Sequence, residues 1–270
     1  METKILFTDM DGTLLNDSHM ISQYTKKQLD TMISLGHTLV LSSGRPLDSI
    51  LKTKEKLQLD YPGVYIISYN GGLIYECDTK ISIYEKRVPF QDTQRILGEA
   101  NKLGIYCHTY SDTHIIAKEQ SAELDHYQTA IDIPSMITHD IMSALSQEPF
   151  KLLAIHLSDK RQLNKLKEVV TSFPSNKISC VFSNENYLEF FPISSGKGNA
   201  LQYLCHYLGI SLDHAVAVGD AENDISMLQS VTHSVAMNNA SQIVKDSATD
   251  RTLSDNNHDG ITEVLKKYFF

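Results

Sequence analysis

The sequence predicts an α/β protein: a doubly wound parallel sheet interrupted by an α+β insert. Three observations carry this. Short apolar runs alternate with stretches of helical spacing over residues 1–82, the same alternation returns over 188–270, and the region 83–187 between them has another pattern with fewer glycines. At 270 residues and 41% hydrophobic, the chain has the length and apolar material for two compact units.

Lys4 to Phe7 is a short apolar run ending in Thr8 and Asp9, the pattern of a buried strand. Leu29, Met32 and Ile33 then repeat at helical spacing between Ser22, a capping residue, and Gly36, a terminating one. Thr38 to Leu41 reads as a second strand, Leu47 to Leu57 as a helix behind Pro46, and Val64 to Ile67 as a third strand. Tyr69 to Gly72 is a turn leading into Leu73 to Tyr75. The insert offers extended runs at Ile105–Tyr110, Ile115–Lys118 and Leu152–Leu157 and a helical run at Leu163–Phe173. After it come a helix behind Gly198, a strand Ala215–Val218, a helix Glu222–Leu228 and a strand Ser234–Met237.

The charge balance narrows the partners. With 24 Lys and Arg against 33 Asp and Glu the net charge is −9, which disfavours attraction to nucleic acid. No apolar stretch is long enough to span a membrane, and the N-terminus lacks the long apolar core of a secretory signal, so the expected compartment is the cytoplasm. The cysteines at 77, 107, 180 and 205 have no metal or redox spacing. No histidine pair has metal spacing, and the 11 histidines and 13 tyrosines are assigned to core and surface.

Four segments carry chemistry. Asp9-Met-Asp-Gly-Thr13 follows the first strand, where the two-residue period puts Asp9 and Asp11 on one side. Two carboxylates so close need a proton or a cation between them. A lone aspartate at a strand end is more often a cap or turn residue, but Gly219-Asp-Ala-Glu-Asn-Asp224 follows another strand and brings Asp220 and Asp224 to the same sheet edge, where ligands bind in open α/β folds. Hard oxygen ligands gathered there suit Mg²⁺, and the spacing is not that of a calcium loop. Ser43-Gly44 offers a hydroxyl and backbone N–H groups near a helix start, suited to phosphate oxygens. Lys197, ahead of a helix, can neutralise phosphate or carboxylate charge; it is not a Walker lysine, because Phe191 stands in place of the first glycine and Gly198 in place of Ser or Thr.

In this order the four segments resemble the motifs of the haloacid dehalogenase-like hydrolase superfamily, and specifically its Cof-type, type IIB cap phosphatases. Asn70-Gly71, Ala236-Met237, Asn239-Ala240 and Asp259-Gly260 match lesser signatures, while Ser43 stands for the more usual Thr and Asn238 for the usual Gly. The resemblance implies a Rossmann-like core over 1–82 and 188–270 and an inserted α+β cap domain over 83–187, with hinges near 82–86 and 186–192.

It also implies a mechanism. Asp9 attacks phosphorus and becomes an aspartyl phosphate, while Asp11 protonates the leaving alcohol and then activates water. Mg²⁺ sits on the Asp9 carboxylate, the Asp11 carbonyl and Asp220, supported by Asn223 and Asp224. Ser43, Gly44, Lys197 and Asn223 hold the phosphate, and Asn70 and Gly71 line the cavity. The expected substrate is a small phosphate ester, a sugar phosphate or similar, and the expected assembly a monomer or homodimer. A phosphomutase or phosphotransferase passing the phosphoryl group to a sugar is the alternative, and a non-catalytic phosphosugar-binding regulator a more distant one. A dehalogenase is disfavoured by the acid at Asp11, and a transport ATPase by the lack of membrane spans.

Overall fold

A computed structural model describes residues 2–129, 131–174 and 177–270. Its strands are β1 (Ile5–Thr8), β2 (Thr38–Ser42), β3 (Tyr65–Ser68), β4 (Leu73–Glu76), β5 (Ile81–Glu85), β6 (Tyr106–Tyr110), β7 (Ile115–Ala117), β8 (Ser135–Ile137), β9 (Leu152–Ile155), β10 (Ile178–Asn184), β11 (Tyr187–Pro192), β12 (Ala215–Gly219), β13 (His233–Ala236) and β14 (Asp250–Arg251). The helices are α1 (Gln23–Ser34), α2 (Leu47–Lys56), α3 (Phe90–Lys102), α4 (Ala122–Gln128), α5 (Ile141–Ala144), α6 (Lys160–Thr171), α7 (Lys197–Leu208), α8 (Ile225–Leu228), α9 (Gln242–Lys245) and α10 (Ile261–Tyr268).

Among the described residues the strands form two sheets. The first runs β14-β13-β12-β1-β2-β3-β4-β5, parallel from β14 to β3 and closed by an antiparallel hairpin. Alternation on β1 explains its layering: Leu6 packs with Leu29 and Met32 of α1, Ile50 of α2 and Leu265 of α10, while Ile5 and Phe7 pack with Leu201 and Leu204 of α7 and Met227 of α8. Ser22 caps α1 by accepting the Thr25 N–H at 3.0 Å. The second sheet runs β10-β11-β9-β6-β7-β8 and is antiparallel apart from the β7–β8 pair. Helices α3 and α6 cover one face. The other face packs Tyr110, Leu153 and Tyr127 against Tyr69 and Leu73 of the first sheet's side.

Three local expectations are corrected. The stretch 222–228 is not one helix but a 3₁₀ turn, Glu222–Asp224, followed by α8, because the Asp224 carboxylate folds back to accept the N–H groups of Asp220 and Ala221, each at 3.0 Å. Helix α7 starts at Lys197, ahead of Gly198. Strand β5 carries the first sheet to Glu85 and β11 carries the second to Pro192, so each sheet runs past the boundary drawn at 82 or 187. No helix among the described residues is long and apolar enough to cross a membrane.

Candidate active site

Strand β1 lies between β2 and β12, and the chain leaves all three at the same edge. Asp9 follows β1, with its N–H donating to Val218 of β12 at 2.9 Å; Ser43 follows β2 and Asp220 follows β12. This is the crevice beyond the strand ends where ligands bind in doubly wound sheets. Gly12, at φ +80°, lets the chain turn sharply after Asp11, and a Cβ there would stand 2.5 Å from the Asp220 carboxylate.

Lys197, at the first turn of α7, is fully buried. Its ammonium donates to Asp9 Oδ1 at 2.5 Å, Asp224 Oδ1 at 2.6 Å and the Ser42 carbonyl at 3.1 Å. Thr13 donates to Asp220 Oδ1 at 2.7 Å. Oxygens of Asp9, Asp220 and Asp224 lie within 4.8 Å of one another. One ammonium, bonded to Asp9 and Asp224, thus stands against three carboxylates, leaving an excess of negative charge in a buried place. Burial pushes Asp9 well above the ordinary carboxylate range; Lys197 opposes this, and Asp224, Asp220 and Asp11 add to it. Asp220 is pushed up to about 7, by burial first and then by Asp224. Lys197 is raised despite burial, because Asp224 and Asp9 outweigh the loss of water. An all-oxygen cluster short of positive charge fits a hard divalent cation such as Mg²⁺.

Asp11 turns elsewhere. Arg45 donates to it through Nε at 2.6 Å and Nη2 at 2.5 Å, and His19 Nδ1 is 3.3 Å away. Burial pushes its carboxyl up, but the His19 hydrogen bond and the Arg45 charge outweigh that and bring it to about 2. Asp11, expected as the first-step acid, is thus held as an anion in this arrangement by His19 and the bidentate Arg45 guanidinium.

Above the cluster is a cavity of about 240 Å³, lined by Asp9, Asp11, Ser43, Gly44 and Asn223 on one side and, on the other, by Asn184, Tyr187 and Glu189 of the second sheet together with Tyr127 of α4 and Lys151 just ahead of β9. The Ser43 N–H is engaged by the Ile67 carbonyl at 2.8 Å and its Oγ accepts the Arg45 N–H at 3.1 Å, which leaves the hydroxyl proton for a ligand. Asn70 and Gly71, expected to line the cavity, do not. Asn70 is fully buried behind Gly44, and Gly71 packs so tightly on Gly196 that a Cβ would lie 2.3 Å from its carbonyl oxygen. Sequence reasoning missed Arg45, His19, Tyr127, Lys151 and Glu189 as site residues. One signal was available for Glu189: a carboxylate inside the apolar run Leu188-Glu-Phe-Phe191.

The family model for haloacid dehalogenase-like hydrolases matches residues 6–265. A Streptococcus pyogenes protein provisionally named a phosphatase is 29% identical over 271 residues, covering 99% of each chain. A Bacillus subtilis protein named 5-amino-6-(5-phospho-D-ribitylamino)uracil phosphatase is 28% identical, covering 97% of this chain and 96% of its own. Among solved structures, a haloacid dehalogenase-like hydrolase from Bacteroides thetaiotaomicron is 27% identical with a TM-score of 0.87, covering 99% of this chain and 100% of that one.

Proposed function

The chain belongs to the haloacid dehalogenase-like hydrolases and is a phosphatase, and on that premise we propose that it hydrolyses small phosphorylated metabolites with Mg²⁺ through an aspartyl phosphate on Asp9. The observation that carries this is the Asp9 carboxylate, held by Lys197 beside a cavity and within reach of Asp220 and Asp224.

Asp9 Oδ1 is occupied by Lys197, so Oδ2 is the oxygen that attacks phosphorus as the ester bond breaks. The Ser43 hydroxyl, with its proton free, holds a phosphate oxygen as charge builds on it, while Lys197, its three protons engaged by Asp9, Asp224 and the Ser42 carbonyl, contributes positive charge beside the nucleophile. Asp9, Asp220 and the Asp11 carbonyl, with Asp224 and Asn223 around them, would hold Mg²⁺, which would supply the positive charge that an anionic nucleophile needs beside a phosphate dianion. Asp11, already ionised, is suited to take the proton of the water that opens the aspartyl phosphate; to protonate the leaving alcohol it must first part from Arg45.

The unit built on the second sheet, between the end of β5 at Glu85 and the end of β11 at Pro192, acts as the cap in this reading, and its polar and aromatic wall meets the alcohol part of the ester. A sugar or sugar-alcohol phosphate suits Tyr127, Asn184 and Tyr187, and the ribityl phosphate in the name of the B. subtilis relative belongs in any substrate panel. Four free cysteines support a reducing compartment such as the cytoplasm.

The test is phosphate release from a panel of phosphomonoesters by wild type and Asp9→Asn, each with Mg²⁺ and with EDTA. Wild type with Mg²⁺ is expected to turn over at least one class, and either change to cut release by at least about a thousandfold. Undiminished turnover by Asp9→Asn would overturn the assignment of the nucleophile.

A further inference from the structure

The cavity wall contains a buried ion pair that takes no part in the steps above. Lys151, just ahead of β9, and Glu189, on β11, are 2% and 3% exposed, and their ammonium and carboxylate are paired. Such a pair loses in desolvation about what it gains in attraction, so stability is a poor reason for it. Its further contacts lead into the first sheet. Glu189 Oε2 also accepts from Asn70 Nδ2 at 2.8 Å. Asn70 Oδ1 accepts from Asn223 Nδ2 at 3.0 Å, and the Asn70 backbone N–H donates to the Ser43 carbonyl at 3.1 Å. One buried amide thereby joins the second sheet, the Ser43 loop and the Asp220–Asp224 loop.

The direction of this relay is dictated by chemistry. An ionised carboxylate only accepts, so Asn70 must turn its NH₂ to Glu189 and its oxygen to Asn223. Asn223 must then turn its NH₂ to Asn70, which leaves its Oδ1 facing away. That oxygen is buried and has no hydrogen-bond partner among the described residues, and Asn223 lines the cavity. A buried acceptor left without a donor is costly unless a ligand supplies one.

We propose that Glu189 is a positioning residue: acting through Asn70, it fixes Asn223 with its carbonyl oxygen presented as an acceptor for an O–H donor bound in the cavity. The donor is a hydroxyl of the ester or a water beside the cation, and the inference rests on the phosphatase reading of the site.

The test compares two variants that both remove the ion pair without leaving a lone buried charge. Lys151→Met with Glu189→Met removes the acceptor for Asn70; Lys151→Met with Glu189→Gln keeps a group able to accept. Both are expected to melt within a few degrees of wild type, while kcat falls in the order wild type, Gln pair, Met pair, with the Met pair at least tenfold below wild type. Amide hydrogen exchange over residues 220–224 speeds up in the same order. A rise in KM in the Met pair assigns the donor to the ester, and a rise in the Mg²⁺ concentration for half activity assigns it to water. Equal kcat and equal exchange in wild type and Met pair would overturn the proposal, as would a Gln pair no better than the Met pair. If the Met pair does not fold, Asn70→Gly carries the same expectations, because it keeps the left-handed backbone at φ 55° and leaves Lys151 and Glu189 paired. If wild type releases no phosphate from any ester, the phosphatase reading fails, and the exchange comparison still decides on the relay.

Discussion

Asp9 and Asp11 stand two positions apart and have opposite surroundings. Asp9 faces Lys197, Asp220 and Asp224, and Asp11 faces Arg45 and His19. The motif was legible, because a strand end followed by paired carboxylates is a local pattern. The Arg45 partner was not: it lies 34 residues away and arrives only because β1 and β2 are adjacent and parallel. A consequence can be measured. The Asp11 carboxyl is lowered from its ordinary 3.8 to about 2, so its contribution to stability is present above about pH 3.8 and is lost as pH falls through 2. Its side chain is 43% exposed, and screening keeps that contribution modest. In Arg45→Met the carboxyl should return toward 3.8, seen as a shift of the Asp11 carboxyl titration by NMR. The fall in melting temperature between pH 4 and pH 2 should flatten as well. An unmoved titration would show that His19 alone holds Asp11.

At the scale of elements, α7 places Lys197. A cation at a helix N-terminus opposes the helix dipole, so the position must be held by Asp9, Asp224 and the Ser42 carbonyl. The next residue fixes the distance to α8: a Cβ on Gly198 would lie 2.2 Å from the Ser226 carbonyl oxygen and 2.7 Å from Ser230 Oγ. Gly198→Ala must push α7 away and carry Lys197 with it. The expected cost is about 1–3 kcal/mol in stability and roughly ten- to a hundredfold in kcat, read from thermal melts and phosphate release. Gly98, inside α3 with nothing within 4 Å of its missing Cβ, is the control, where Ala should raise stability by up to about 1 kcal/mol and leave kcat alone. Equal effects at the two glycines would contradict this account of α7. The helix start near Lys197 could be read from sequence, but the tight fit to α8 could not, since it depends on the 3₁₀ turn that Asp224 forms by folding back on its own loop.

At the scale of the whole molecule, the doubly wound sheet was legible because its central strands β1, β2, β3, β12 and β13 are short apolar runs with local boundaries, and motif residues sit just past several of them. The edge strands β5 and β14, with polar residues, were not anticipated. Nor was the far wall of the cavity. Glu189 sits inside an apolar run of the second sheet and Lys151 just ahead of another, and only the packing of that sheet over Tyr69 and Leu73 brings them to the site. The charge excess of the site is likewise a property of the assembled molecule, and it makes stability depend on pH and metal together. Asp220 is raised from 3.8 to about 7, burial first and Asp224 second, and Asp9 is raised in the same direction. A group raised on folding binds more protons in the folded state, so its stabilisation is complete below about pH 3.8 and is lost as pH rises through 7. In EDTA the melting temperature should therefore fall between pH 4 and pH 7, by roughly a few degrees or more. On the proposed Mg²⁺ site the cation takes the deprotonated cluster, so adding it should restore the loss, with a gap between Mg²⁺ and EDTA melts that is widest at pH 7–8 and closes toward pH 4. Asp220→Asn should weaken both the slope and the gap. Scanning fluorimetry of wild type and Asp220→Asn from pH 4 to 8 decides the matter: a Mg²⁺ effect of equal size at both ends of that range would mean that the cation does not bind to these carboxylates.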